Sequence, residues 1–320
     1  MTAPDIAISA ARGGQTARPV AQIITAHRQT EGEEFPIRRP FPTTGLADVD
    51  PFLMLDEVGP VDWAPGTAKG APDHPHRGFQ TISYILSREN LHEDSSGGVQ
   101  KLQSGDVQWM TTGAGIVHSE MPTEEFRERG GRIHSFPIWV NLPAADKWTT
   151  PGYQFAAADR IPVAISDDGL ITAKVIAGTA FGVDGIVETR TPGVLQDWTV
   201  MSGGADELTI PADHSVSLYV FHGSVITGPD AKTIEDGELA ILGDGDTVTI
   251  SSNKNNPEPA RLLVLGGRPI GEPVTRYGPF VINTKDEIVQ AFHDYQSGRM
   301  GSSPGREWNQ MLSGFAEFRH

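Results

Sequence analysis

Short apolar runs that alternate with polar positions recur along the chain, and segments rich in glycine and proline separate them. Runs of this length and period are typical of β-strands, because successive side chains of a strand point to opposite faces of its sheet. They occur at residues 20–26, 35–39, 52–55, 82–86, 107–110, 134–143 and 217–221. The pattern therefore predicts an all-β chain.

One segment near the end of the sequence departs from this pattern. Thr284 begins a Thr-x-x-Glu sequence, which has the spacing of a capping box at the start of a helix. Ile288, Phe292 and Tyr295 would then fall on one face of that helix. We predict a short helix that follows Thr284, ends near Gly298 and docks on a sheet.

The length of the chain leaves room for two β domains. Of its 320 residues, 36 are glycine and 24 are proline, which suits many short strands joined by turns. We predict a flexible leader over residues 1–19 and a first domain over 20–145. A second domain is predicted over 146–298, ending in the helix, and a tail over 299–320.

The charge of the chain is strongly acidic. Asp and Glu outnumber Lys and Arg by 41 to 25, which gives a net charge of −16. Because this charge repels a phosphate backbone, it argues against direct binding of nucleic acid. A basic protein partner is compatible with it, but no segment singles one out.

The chain contains no cysteine, which excludes disulfides, thiolate metal ligands and thiol catalysis. Residues 1–27 have no continuous apolar core of the kind found in a signal peptide, and no later apolar run is long enough to cross a membrane. We therefore expect a soluble, cytoplasmic protein with no membrane partner.

Two pairs of potential metal ligands share one spacing: His74 with His76, and His118 with Glu120. Residues i and i+2 of a strand share a face, so each pair can present both side chains to one point. Two such strands can close a site of four ligands. Three imidazoles and one carboxylate suit iron, nickel, copper or zinc, and they leave coordination positions open for a ligand or substrate. We predict a metal centre made of these four residues.

The segments around these pairs resemble the pirin family of two-domain cupin proteins. The resemblance is carried by residues 50–57, 73–84, 92–95 and 105–120, and it returns at 277–284. It implies two tandem cupin domains, each a β-barrel or jelly roll, with a divalent metal in the first. Fe(II) is the metal that the resemblance favours, with Ni, Cu, Mn and Zn as alternatives.

The resemblance also implies two alternative functions. The first is an oxygenase that cleaves flavonols such as quercetin with O2. There the 3-hydroxyl binds the metal, a carboxylate takes its proton, and the heterocycle opens with loss of carbon monoxide. Glu120 is then the candidate for both metal ligand and base, although a ligated carboxylate is a weak base unless it leaves the metal. The second is a metal- or redox-sensing module that binds other proteins, as a transcriptional co-regulator or enzyme regulator.

Other polar residues near these motifs have simpler interpretations. His92 opens a segment, 92–98, with the composition of a hairpin loop, where we expect its side chain to face solvent or to hydrogen-bond within the turn, and not to bind the metal. His134 stands among apolar residues and is expected to be a hydrogen-bonded core or edge histidine. Asp56 and Glu57 are expected as solvated charges at the end of a strand.

A faint internal repeat links the two halves of the chain. Residues 217–221 can be aligned with 82–86, and on that register we compared the four ligand positions. Their counterparts in the second half are Thr209, Pro211, Ile250 and Ser252. The second domain is therefore predicted to lack a metal site.

Overall fold

The computed structural model describes residues 15–32 and 35–301. In this part of the chain the first elements are β1 (Val20–Thr25), β2 (His27–Glu31), β3 (Phe35–Phe41), β4 (Phe52–Trp63), β5 (Ala71–His76), β6 (Phe79–Ser87), β7 (Asn90–Asp94), β8 (Val99–Leu102), β9 (Val107–Thr111), β10 (Ile116–Pro122), α1 (Glu124–Arg129) and β11 (Gly131–Asn141). The later elements are β12 (Gly152–Ala156), β13 (Val163–Ile165), β14 (Ile171–Ala177), β15 (Thr179–Ala180), β16 (Val183–Asp184), β17 (Gly193–Val200), β18 (Ala205–Thr209), β19 (Ser215–His222), β20 (Ser224–Thr227), β21 (Lys232–Glu235), β22 (Glu238–Leu242), β23 (Thr247–Ser251), β24 (Ala260–Gly267), β25 (Thr275–Tyr277), β26 (Phe280–Ile282) and α2 (Lys285–Gln296). The predicted all-β architecture with a short C-terminal helix is confirmed.

The chain divides into two compact units. The amino-terminal β unit contains residues 29–32, 35–37, 56–158 and 271–301. Its larger sheet has seven strands in the order β12-β9-β6-β11-β4-β3-β2, and its second sheet has four, in the order β5-β10-β7-β8. The pairs that hold the second sheet together are antiparallel.

The carboxy-terminal β unit contains residues 15–28, 38–55 and 159–270. It repeats the same plan, with a seven-stranded sheet in the order β1-β22-β19-β24-β17-β14-β13 and a four-stranded sheet in the order β18-β23-β20-β21. Its core includes Trp198, Leu218 and Leu262, each fully buried. Burying such a side chain contributes about 1.5–3 kcal/mol.

Helix α2 begins as the sequence predicts. Thr284 Oγ1 accepts a hydrogen bond from the backbone N–H of Glu287, whose carboxylate accepts one from the backbone N–H of Thr284 in return. Ile288 is buried in a cluster with Val117 and Phe280. The helix therefore docks within the amino-terminal β unit. No helix of residues 15–32 and 35–301 is long and apolar enough to cross a membrane.

The boundaries of the two units differ from the contiguous ranges predicted above. Strand β1 lies inside the predicted first domain, yet it pairs with β22 of the carboxy-terminal unit, Val20 standing opposite Leu242. Strand β12 and helix α2 lie inside the predicted second domain, yet they belong to the amino-terminal unit. The physical reason is that edge strands and apolar helix faces find their partners far away in sequence.

The predicted ends of the chain also change. The flexible leader does not hold for residues 16–19, because Thr16 donates its N–H to Asp246 Oδ1 at 2.7 Å and Arg18 donates its N–H to the Thr247 carbonyl at 2.8 Å. Met300, in the predicted tail, is buried. Residues 1–14 and 302–320, which make up the rest of the leader and tail, lie outside the described residues.

Candidate metal centre

Two neighbouring strands of the four-stranded sheet bring three histidines together. Strands β5 and β10 are antiparallel, with His118 directly opposite His74 and Ile116 opposite His76. Since His74 and His76 are two residues apart, both point to the face on which His118 stands. Their ring centroids are 4.3 Å apart for His74 and His118, 4.8 Å for His74 and His76, and 5.0 Å for His76 and His118.

The ligand atoms of these three side chains lie within 4.8 Å of one another and could hold a metal ion. Glu120, the fourth predicted ligand, is not one of this group. The strand register shifts between His118 and Glu120, and the Glu120 carboxylate accepts a hydrogen bond from Ser83 Oγ at 2.7 Å. The structure thus brings three of the four predicted ligands together, and the role of Glu120 as the fourth stays a prediction.

The surroundings of the cluster disfavour the charged form of its histidines. Burial lowers the pKa of His118 well below its ordinary value, and the nearby rings of His74 and His76 lower it further. Burial lowers the pKa of His76 in the same way and is the largest cause of the lowered pKa of His74. The neutral imidazole is the form that binds a metal, so these shifts favour metal binding at ordinary pH.

The hydrogen bonds of the cluster also fit a metal site. His74 Nδ1–H donates to the Pro72 carbonyl at 2.7 Å, which places the lone pair of that ring on Nε2. His76 Nδ1 and His118 Nε2 are buried and have no hydrogen-bond partner in the described part of the chain. Buried polar atoms are normally paired, so unpaired nitrogens in this cluster indicate a missing partner such as a metal ion.

Aromatic rings border the cluster on one side. The rings of Phe79 and Trp139 are 4.4 Å apart, and each lies 5.3 Å from the ring of His76. Phe79 is fully buried, whereas Trp139 is partly exposed. The guanidinium of Arg276 lies 4.6 Å from the centroid of the Trp139 ring. We call Phe79 and Trp139 the aromatic wall.

His92 was missed by the sequence interpretation. It lies in strand β7 instead of a solvent-facing loop, with a side chain that is 0% exposed and Nε2 3.1 Å from Asp94 Oδ2. Its Nδ1 lies 3.4 Å from His118 Nδ1. Burial alternates along residues 90–94, but the buried positions are polar and the segment resembles a turn, so hydropathy could not identify this strand.

Two other expectations concern the larger sheet. His134 hydrogen-bonds through Nε2 to Glu57 Oε1 at 2.8 Å, in keeping with the expected core or edge histidine. Asp56 and Glu57 are 4% and 0% exposed, so the expectation of solvated charges is wrong. Strand β4 continues through both residues and does not end there.

The fold and the histidine cluster define a class: a protein of two cupin-type β domains, one of which carries three histidines that could bind a metal. Comparison with known proteins agrees with this class. The family model described as Pirin matches residues 34–140, and the model of the Pirin C-terminal cupin domain matches residues 195–301.

Whole-chain relatives share this organisation. The chain is 40% identical to a pirin-like protein of Caulobacter vibrioides, over 88% of this chain and 99% of the relative. It is 39% identical to a pirin-like protein of tomato, Solanum lycopersicum, over 91% and 96%. A crystal structure of quercetin 2,3-dioxygenase from Acinetobacter baumannii superposes with a TM-score of 0.83 and 35% identity, over 90% of this chain and 99% of that one. The chain belongs to the pirin family.

Proposed function

We propose that the protein is a metal-dependent oxygenase that cleaves flavonol-type substrates with O2. The observation that carries the proposal is the cluster of three histidines, two of them buried and His74 partly buried, whose ligand atoms lie within 4.8 Å of one another. Similarity to a quercetin 2,3-dioxygenase over almost the whole chain supports the choice of substrate class. The chain offers no thiolate, so the donors are imidazole and carboxylate.

We propose Fe(II) as the metal, with Ni, Cu, Mn and Zn as alternatives for the same nitrogen and oxygen donors. His74, His76 and His118 would hold it, with Glu120 as the fourth ligand. Three imidazoles and one carboxylate leave a divalent ion with a net positive charge. When bound, the ion supplies a Lewis acid for the substrate hydroxyl and a redox-active centre for O2.

Glu120 is the proposed base. Ser83 Oγ donates to Glu120 Oε1 at 2.7 Å, so this hydroxyl holds one carboxylate oxygen in place. Oε2 is then the atom that would take the proton from the 3-hydroxyl of the substrate. The carboxylate stands at the same face as His92 and His118, because Glu120 is opposite His92 in the register of β10 and β7.

The aromatic wall supports a flat, aromatic substrate. Aromatic rings contact one another best when they are offset or edge to face, and Trp139 offers a partly exposed ring 5.3 Å from His76. Arg276, which lies over that ring, brings a positive charge to the same wall. This charge would complement the substrate anion left when Glu120 removes a proton.

The test is oxygen uptake by protein loaded with Fe(II) under anaerobic conditions and then mixed with quercetin in air-saturated buffer. Uptake should require iron and should disappear in the Glu120→Gln variant. The matched control is Glu93→Gln, which removes the same charge from a half-buried position opposite Ser119, on the neighbouring strand. Uptake that persists in Glu120→Gln would reject the assigned base.

The alternative is the sensing module, in which the same metal site controls binding to another protein in the cytoplasm. It shares the three histidines, so structure alone does not separate it from the oxygenase. Metal bound in stoichiometric amount, with no uptake for quercetin or related flavonols, would favour this alternative. Failure to bind any divalent metal would reject both.

A further inference from the structure

We propose that Asp94 and His92 form a relay that fixes the tautomer of His118, so that His118 offers a lone pair at Nε2 to the metal. The inference rests on the proposed metal site. His92 and Asp94 would be positioning residues, which act on the metal through His118. The three side chains stand in line, Asp94 Oδ2 at 3.1 Å from His92 Nε2 and His92 Nδ1 at 3.4 Å from His118 Nδ1.

The relay starts from the Asp94 carboxylate, whose two oxygens have different hydrogen-bond partners. Asp94 Oδ1 accepts hydrogen bonds from the backbone N–H of Ser96 at 2.8 Å, from Ser96 Oγ at 2.5 Å and from the N–H of Gly98 at 3.1 Å. Oδ2 faces His92. Burial alone would raise the pKa of Asp94, but the hydrogen bonds from Ser96, His92 and Gly98 outweigh it and lower the pKa. Asp94 is therefore an ionised group that can only accept.

The positions of the protons follow from this acceptor. Since Asp94 Oδ2 can only accept, His92 must carry its proton on Nε2, and a neutral His92 then has its lone pair on Nδ1. His118 Nδ1 faces that lone pair and must donate to it. The remaining nitrogen of His118, Nε2, is left with a lone pair, and it is the buried nitrogen without a hydrogen-bond partner in the described residues.

His74, in the other ligand pair, is oriented in the same way by a backbone group. His74 Nδ1–H is held by the Pro72 carbonyl at 2.7 Å, which also directs the lone pair to Nε2. Histidines that bind metals commonly donate their second N–H to a carbonyl or carboxylate, and loss of that partner weakens metal binding. His118 meets the same requirement through two side chains in place of a backbone group, so its orientation can be changed by mutation.

Asp94→Asn is the variant that separates the relay from simple packing. Three donors converge on Oδ1, so the amide oxygen must take that position and the amide NH2 must face His92. His92 would then accept at Nε2 and carry its proton on Nδ1. His118 Nδ1 would become the acceptor and Nε2 would be protonated, which blocks the atom needed for the metal. A reversed tautomer in an intact geometry is known to disable a histidine in other sites.

The first measurement is the tautomer of His118 in metal-free protein labelled with ¹⁵N-histidine, with resonances assigned through His118→Gln. Wild type should show a protonated Nδ1 on His118 and a protonated Nε2 on His92, and Asp94→Asn should show the reverse for both. Ni(II) titration should give about 10- to 100-fold weaker binding by Asp94→Asn. Ser96→Ala is the control, because it removes a donor to Oδ1 and leaves the contact with His92 in place.

Two substitutions of His92 separate its contact with His118 from its contact with Asp94. His92→Asn keeps an acceptor near the Nδ1 position and should retain most of the Ni(II) affinity. His92→Gln keeps a donor to Asp94 but removes that acceptor, and it should weaken Ni(II) binding to the level of Asp94→Asn. These variants also keep the inference testable if Asp94→Asn does not fold.

A wild-type His118 protonated on Nε2, or a His92 protonated on both nitrogens, would overturn the inference. So would unchanged tautomers and Ni(II) affinity in Asp94→Asn. These outcomes differ from failure of the proposed function. Absence of oxygen uptake would reject the oxygenase without changing the tautomers or the Ni(II) affinities. Absence of metal binding in wild type would reject the metal site, and the tautomers would still test the relay.

Discussion

A buried lysine offers a quantitative test of the packing in the amino-terminal β unit. Lys147 is 1% exposed, and its Nζ donates hydrogen bonds to Asn141 Oδ1 at 2.6 Å, to the Gly78 carbonyl at 2.7 Å and to the Val281 carbonyl at 3.2 Å. All three acceptors are uncharged oxygens. The ammonium group thus joins the turn after β5, the end of β11 and strand β26, without an ion pair to compensate its charge in these contacts.

The cost of burying this charge appears in its pKa. Burial lowers the pKa of Lys147 from 10.5 to about 8, while Glu272 and Glu287 act in the opposite direction. The folded protein therefore releases this proton at a lower pH than the unfolded chain does. Between about pH 8 and pH 10.5 the unfolded chain binds more protons, so stability rises with pH over that window. The unfolding free energy gained through this group between pH 7 and pH 10 is about 2.5 kcal/mol.

The assay is urea unfolding of wild type and Lys147→Met at several pH values from 7 to 10, with tryptophan fluorescence and circular dichroism as the two probes of unfolding. The difference in unfolding free energy between the two proteins should increase by about 2.5 kcal/mol across this range, in favour of wild type. Lys232→Met, at an exposed position of β21, is the control and should show no such increase. A difference that stays constant with pH would refute the reasoning.

Two further predictions concern the ligands and the turn beside them. Loss of a residue that only supports a ligand lowers metal affinity by about 10- to 100-fold, so His118→Ala, which removes a ligand, should lower it by more and leave the circular dichroism spectrum unchanged. His222→Ala, at an exposed position, is the control. Full metal loading of His118→Ala would contradict the site. Gly78→Ala should lower the unfolding free energy more than Gly97→Ala. Both positions have positive φ (88° and 91°), but only at position 78 would the added Cβ clash with a backbone oxygen, that of Val281 at 2.1 Å. Backbone strain alone should cost about 1–3 kcal/mol in each, so equal losses in urea unfolding would refute the clash.

The features that the sequence predicted best depend on local spacing. The i, i+2 rule places His74 and His76 on one face whatever the rest of the chain does, and the capping box at Thr284 fixes the start of α2 within four residues of sequence. By contrast, α1 was not predicted. Its six residues follow Thr123, whose side chain caps the helix by accepting from the Phe126 N–H, and a segment so short and charged resembles a surface turn.

Buried polar residues were the main source of error, because their burial depends on partners that are distant in sequence. Glu57 is fully buried, and its Oε1 accepts a hydrogen bond at 2.8 Å from Nε2 of His134, on another strand. His92 is buried since Asp94 and His118 take both its nitrogens. Hydropathy assigns such side chains to the surface, while the structure pairs them and thereby removes most of the cost of burial.

The metal centre combines both kinds of information: the sequence predicted four ligands, and the structure brings three of them together. His74 and His118 meet because β5 and β10 pair in register, and a register of this kind persists only while the strands stay regular. After His118 the register between β10 and β5 shifts, so that Glu120 stands opposite Ala71, whereas the pairing of β10 with β7 stays regular. Glu120 therefore keeps the face of His118, but the residues that it contacts or pairs with, Ser83 and His92, come from β6 and β7. The i, i+2 rule thus gives the face of a side chain, whereas its partners depend on the neighbouring strands, which local spacing does not specify.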